Sequence, residues 1–272
     1  MVKVRWTGAA GLEFTHNGLV ILIDPYHSRP GKFQVFFRHL RPKTDAISKY
    51  LASLTGQLSA IIVGHTHFDH ALDIPVFAEH FDGPLIGNAS LDTLMTMYGK
   101  PGRVIVCKGG ERVELPGGAV VTVIPSTHGL VAFGRVPYPG EINPADRLPL
   151  KSNEYRHGTV LILKLEIGGT VFMHIGSANF AESELQGASC DVLFMCVPGW
   201  KEFPGYTTRL LKIVKPKIIV PFHYDDFSTP ISPNGRAGIV PFQDMAGFLK
   251  SVSQSVPGVE IRVARIFESM SF

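Results

Sequence analysis

Apolar and polar positions alternate along Val2-Lys3-Val4-Arg5-Trp6, and the alternation resumes through Gly11-Leu12-Glu13-Phe14. A period of two sends successive side chains to opposite faces, so both stretches are predicted strands. His16-Asn17-Gly18 supplies a hairpin turn between them and the next element. Leu19-Val20-Ile21-Leu22-Ile23 is apolar without a break, as in a strand covered on both faces, and Asp24-Pro25 stops it. Ser59-Ala60-Ile61-Ile62-Val63 is a second strand of this kind, ending at Gly64.

Helical spacing first shows between Lys43 and about Leu54, where Thr44 or Asp45 is the expected cap. It returns over 70–81 through Leu72, Ile74, Val76, Phe77 and Phe81, and again from Ser90 to about Tyr98. Further strands are predicted at 84–87, 103–107, 111–115, 119–125, 159–167, 170–175, 191–197, 217–222 and 260–266, with a helix over 206–214. Gly168-Gly169 joins two of these strands as a hairpin turn. Two stretches lack periodicity, and both read as long insertions. Residues 26–57 begin with a basic-aromatic loop over 26–43, and residues 130–157 are rich in Pro, Gly and charge. The whole predicts one α/β domain over 1–272, with two sheets packed together and helices outside. Its halves share a rhythm of strands first, then strand-helix-strand.

Composition narrows the class without changing this picture. Apolar residues make up 45% of the chain and charged residues 18%, which suits a folded core rather than a disordered chain. A formal charge of +3 is too small to argue for nucleic acid. Cys107, Cys190 and Cys196 make no CxxC pair and read as buried thiols. No long apolar run predicts a membrane span. Met1-Val2-Lys3-Val4-Arg5 leads straight into a strand, so a secretory signal is not expected and the cytoplasm is the expected compartment.

The chemistry concentrates at His65-Thr66-His67-Phe68-Asp69-His70, where a buried strand breaks into a helix. At such a turn, side chains at i and i+2 can face one point while those at i+4 and i+5 face another. One segment can therefore serve two neighbouring metals. Imidazole and carboxylate suit zinc, manganese or iron, and cysteine is not required. Six residues cannot complete such a site. His128 follows the apolar run Val121–Ile124, and His223 follows Ile218–Phe222, so each stands at a strand end that can reach a shared crevice.

With these residues the chain resembles the metallo-β-lactamase superfamily, through its HxHxDH segment, the later His128 and His223, and an early Asp24 after a buried strand. Arg5-Trp6-Thr7-Gly8-Ala9-Ala10 and Ile23-Asp24-Pro25 resemble most the branch of L-ascorbate-6-phosphate lactonase. The resemblance implies an αββα sandwich with the metal centre at one edge. It implies that His65, His67 and His128 hold one zinc, that Asp69, His70 and His223 hold a second, and that Asp24 orients the cluster. Family members carry a bridging Asp where this chain has Ser177, so one tight ion and a weaker second one are expected, with Asn179 as a substitute ligand.

A metal-activated water then attacks a small-molecule substrate, with Asp69 and His223 as the catalytic pair. A lactone or ester-like bond is the leading expectation and a phosphodiester the alternative. A metal- or ligand-binding protein without catalysis is the reading of a different class. The five cations of 26–43 beside Phe33, Phe36 and Phe37 suggest an anionic substrate, or a solvated face whose aromatics pack in the core or in a homo-oligomer. Tyr26, His27, Tyr155, His157 and His174 are further candidate proton donors.

Overall fold

The computed structural model describes residues 1–272 apart from 132–133, 233, 237 and 241–242, so two residues of the second insertion lie outside the described ones. Strands β1 (Lys3–Gly8), β2 (Gly11–His16), β3 (Leu19–Ile23), β4 (Gln57–Ile62), β5 (Leu85–Gly87) and β6 (Val104–Val106) lie in that order in one sheet. The second sheet runs in order through β7 (Arg112–Glu114), β8 (Val120–Ser126), β9 (Val160–Ile167), β10 (Thr170–Ile175), β11 (Val192–Cys196), β12 (Ile218–Phe222) and β13 (Glu260–Ile261). In each sheet an antiparallel set is followed by parallel strands: β1 to β3 pair antiparallel and β3 to β6 parallel. Likewise β7 to β10 pair antiparallel and β10 to β13 parallel. The shared rhythm of the two halves is therefore a shared topology.

Burial explains the strand patterns. Ile21 and Ile23 of β3 join a core made with Val123, Leu161 and Leu163 of the other sheet, while Val20 and Leu22 face a second core. That second core holds Ile47 and Tyr50 of α2 (Thr44–Ala52), residues of α3 (Phe68–Ala71) and α4 (Ile74–Phe77), and Leu91 and Leu94 of α5 (Ala89–Met97). With both faces covered, an unbroken apolar run is what the sheet requires. Leu210 and Leu211 of α6 (Tyr206–Val214) and Phe248 and Val252 of α7 (Met245–Ser255) join the first core on its far side. The architecture is a mixed-sheet α/β sandwich.

Five expectations need correction, the last of them at the C-terminus. The stretch 26–43 is not all loop: Lys32–Phe37 forms a short helix that buries none of its residues. Phe33, Phe36 and Phe37 are 62%, 70% and 71% exposed, so they do not pack in the core. The single helix over 70–81 is two, α3 and α4, because Pro75 cannot continue a helical ladder and instead opens a new one. The capping expectation at 44–45 fails, since Lys43 occupies that place without a side-chain bond.

At the C-terminus, the strand expected over 260–266 is only Glu260–Ile261. The chain turns instead, and Ser269–Ser271 (β14) returns to pair with β1. Helix α7 had no sequence signal because serine and glycine weaken its propensity; packing of Phe248 and Val252 and the Asp244 cap on Gly247 N hold it. Among the described residues, no helix is long and apolar enough to cross a membrane.

Candidate metal centre

Beyond β4 the backbone keeps pairing for two more steps: Leu161 N donates to Gly64 O and Thr66 N to His157 O. This strap fixes the start of the histidine segment against β9. His67 is still extended (φ −60°, ψ 154°), and the helix α3 begins immediately after it. His65 and His67 thus leave from extended backbone, while Asp69 and His70 leave from a helical turn. The change of conformation splits the segment as its spacing predicts.

The split builds two groups of three side chains. Donor atoms of His65, His67 and His128 lie within 4.8 Å of one another, and so do those of Asp69, His70 and His223. His65 Nε2 and His67 Nδ1 are 3.2 Å apart, and Asp69 Oδ2 lies 3.3 Å from His223 Nε2. His128 is delivered by the end of β8. His223 follows β12 with φ +66°, a left-handed backbone uncommon for a residue other than glycine. All six sequence-predicted ligands converge, five of them buried and His128 half-buried.

Hydrogen bonds select the tautomers. His67 Nε2 donates to Pro137 O at 3.0 Å, leaving Nδ1 free. His128 Nδ1 donates to Gly129 O at 2.7 Å, leaving Nε2 free. His70 Nδ1 donates to Asp24 Oδ2 at 2.8 Å, and its Nε2 is buried with no partner. Orienting one ring nitrogen so that the other faces a common point is the arrangement of metal-binding histidines. The orphaned Nε2 of His70 and the crowded donor set fit a divalent ion.

Electrostatics agree for His65, His67 and His128. Burial, then the neighbouring imidazoles His70 and His67, pushes His65 far below the ordinary histidine range. Burial, then His128, does the same to His67, and burial takes His128 down to about 4. Neutral imidazole is the form that binds a metal. Burial disfavours the Asp69 carboxylate, but the charges of His70 and His223 and the His223 hydrogen bond outweigh it and hold Asp69 below the usual range. Burial likewise opposes His70, yet Asp24 and Asp69 raise it.

Asp24 anchors this tier from beneath. It is fully buried, accepts Gly64 N at 2.7 Å besides His70, and has His174 Nε2 at 3.7 Å. A side chain at Gly176 would press on His174 at 2.9 Å and approach His70 and Asp24, so only glycine allows this stacking. Ser177 lines the cavity, and its hydroxyl accepts Gly129 N at 2.9 Å, bracing the turn after His128. Asn179, expected as a substitute ligand, is occupied elsewhere: its Nδ2 donates to His128 O and its Oδ1 accepts Phe180 N.

The cavity over the six candidate ligands measures about 180 Å³, and its other walls are Phe68, Val131, Pro137, Tyr138, Gly176, Ser177, Cys196, Pro198 and Phe227. None of the five further proton-donor candidates lines it. Tyr26 and Tyr155 sit in the helix-side core, and His27 stacks on Tyr50 at 3.8 Å. His174 is bonded to Ala10 O, and His157 stacks behind His128. Tyr138 and Phe227 went unrecognised in the sequence, since isolated aromatics in loops carry no spacing signal.

The first loop's cations are elsewhere too. Arg29 pairs with Asp225 at 2.7 Å, Lys32 pairs with Asp226 at 2.8 Å, and Arg38 covers Phe33. Lys43 lines a separate cavity beside Arg5, Arg29 and Lys49.

Comparison with known proteins follows the same lines. The sequence profile of the Beta-lactamase superfamily domain matches residues 3–223. A UPF0173 metal-dependent hydrolase of Anaeromyxobacter sp. (strain K) is 26% identical over 235 residues, covering 83% of this chain and 75% of the relative. Among solved structures, Igni18, a metallo hydrolase from Ignicoccus hospitalis, superposes with a TM-score of 0.63 at 18% identity, over 100% of this chain and 99% of that one. CmlA, a diiron β-hydroxylase from Streptomyces venezuelae, superposes with a TM-score of 0.61 at 14% identity, over 100% of this chain and 54% of its own.

Proposed function

This chain belongs to the beta-lactamase superfamily, and from that premise we propose that it is a metal-dependent hydrolase acting on a lactone or other ester-like bond of a small molecule. The observation that carries the reading is the pair of buried three-residue groups whose free nitrogens face common points above a cavity. In it His65, His67 and His128 hold one zinc, and Asp69, His70 and His223 take a second. Manganese and iron suit the same donors. A zinc ion held there supplies Lewis acidity and brings the pKa of coordinated water down to about 7.

The chain's own groups do the rest. Asp69 stays ionised beside His70 and His223, so its cavity-facing oxygen can accept the proton of an attacking water. Where the second position stays empty, His223 Nε2, 3.3 Å from that oxygen, is free to pass the proton on towards a leaving alcohol. Asp24 keeps His70 in the tautomer that leaves Nε2 free. Phe68 and Phe227 wall the cavity against bulk water. Similarity to the L-ascorbate-6-phosphate lactonase branch rests on residues 5–10 and 23–25, and lactone opening is the reaction type taken from it. Asp69 is the only carboxylate lining the cavity among the described residues, which supports one tightly held ion and a weaker second.

The test is a panel of lactones and aryl esters, with bis-p-nitrophenyl phosphate beside them, assayed on protein purified without chelator. Turnover of a lactone or ester that falls by about 100-fold or more in Asp69→Asn supports the reading. Faster turnover of the phosphodiester favours that alternative. Bound metal with no turnover of any compound favours a binding protein.

A further inference from the structure

The cavity itself restricts the substrate more tightly than the reaction type does. Resting on the hydrolase reading above, we propose that the substrate is compact and uncharged, with an apolar flank, and that phosphorylated or otherwise anionic compounds are excluded. Three observations carry this. The cavity of about 180 Å³ lies below the roughly 300–1,000 Å³ of sites for drug-sized ligands, so little beyond the reacting group fits. Apart from the six ligands, Ser177 and the Tyr138 hydroxyl, its walls are apolar: Phe68, Val131, Cys196, Pro198 and Phe227 surround the approach. Burial pushes the Cys196 thiol far up, so that wall is neutral as well.

Third, no lysine or arginine lines the cavity among the described residues. Two cations of the first insertion are committed to other partners. Arg29 donates to Asp225 Oδ2, Asp226 O and Thr229 O, and Lys32 pairs with Asp226. These bonds pin the segment after His223 but point no charge at the cavity. A second anionic group on the substrate, remote from the reacting oxygen, would lie against phenyl rings and lose its hydration with no compensating partner. An uncharged acyl or alcohol portion meets the same rings favourably.

The experiment separates head from tail. Cobalt(II) is loaded into chelator-stripped protein and titrated with two thiols that share a metal-binding head, butanethiol and 3-mercaptopropanesulfonate, while the thiolate-to-cobalt absorption band is followed. The expected result is butanethiol binding at least about tenfold tighter, with Phe227→Lys improving the sulfonate by about tenfold and leaving butanethiol equal or weaker. Equal or tighter binding of the sulfonate by the unaltered protein overturns the substrate class while leaving the metal centre intact. Protein that takes up no cobalt overturns the hydrolase reading itself, and this inference with it.

Discussion

Asp24→Asn isolates the role of the carboxylate under the metal centre. The volume is unchanged, and asparagine tolerates the left-handed backbone (φ +45°) that residue 24 adopts. What changes is the acceptor count. Asp24 serves Gly64 N at 2.7 Å and His70 Nδ1 at 2.8 Å with separate oxygens, and an amide has one oxygen. If that oxygen stays on Gly64, the amide N–H faces His70 and forces its proton onto Nε2, the atom needed for metal. If the amide turns over, Gly64 N loses its acceptor, at about 1–3 kcal/mol for a buried donor left unmade. Loss of a group that orients a metal-binding histidine weakens affinity by about 10–100-fold, or roughly 1.4–2.8 kcal/mol.

Metal-free protein should also unfold about 2–12 °C lower, at about 2–4 °C per kcal/mol for a chain of this size. The pH dependence has a sign. Because Asp24 and Asp69 overcome burial and raise His70 in the folded state, their stabilisation is complete below the unfolded histidine pKa of about 6.5 and fades as pH rises through the folded value. The Asp24→Asn deficit should therefore be largest in mildly acidic buffer. Competition with a chromophoric chelator measures the affinity, and calorimetry of the stripped protein measures stability. Affinity within about threefold of the unaltered protein, together with a Tm within about 1 °C, would refute the reasoning.

Other substitutions test separate parts of the structure. Ser177→Asp adds a second carboxylate to the cavity and should raise metal stoichiometry by mass spectrometry from about one towards two per chain; unchanged stoichiometry contradicts the charge argument. Arg29→Met leaves Asp225 buried without its partner, so denaturant unfolding should show a loss of about 3–5 kcal/mol, and a loss below about 1 kcal/mol would show that the pair is not holding the segment after His223. His27 is stacked on Tyr50, with Phe267 beside the pair, and burial, then Arg29 and Arg5, lowers it to about 3. The unfolded chain takes up that proton first, so stability contributed by neutral His27 is lost as pH falls from about 6.5 to about 3. His27→Phe should flatten the fall in Tm over that range, and an identical slope in both proteins would show that His27 remains accessible to protons.

The strands and the histidine segment were legible because each depends on local order. An apolar run such as Ile61-Ile62-Val63 needs only a sheet covered on both faces, and the His65–His70 spacing needs only a strand breaking into a helix. Helix Lys32–Phe37 was hidden because its apolar positions face outward, so they form no stripe against a core. The return of Ser269–Ser271 to β1 depends on contacts across nearly the whole chain, which no window of sequence reports. The destination of the first loop's cations was equally hidden. Asp225 and Asp226 had to be brought to Arg29 and Lys32 before their charge could be seen as spent away from the cavity.

Anomalous diffraction, recorded at the absorption edges of zinc, iron and manganese on crystals grown from protein never exposed to chelator, tests the central claim most directly. The expected result is a strong peak beside His65 Nε2, His67 Nδ1 and His128 Nε2, and a weaker one among Asp69, His70 and His223. Fully ordered histidines with no peak at either position would contradict it.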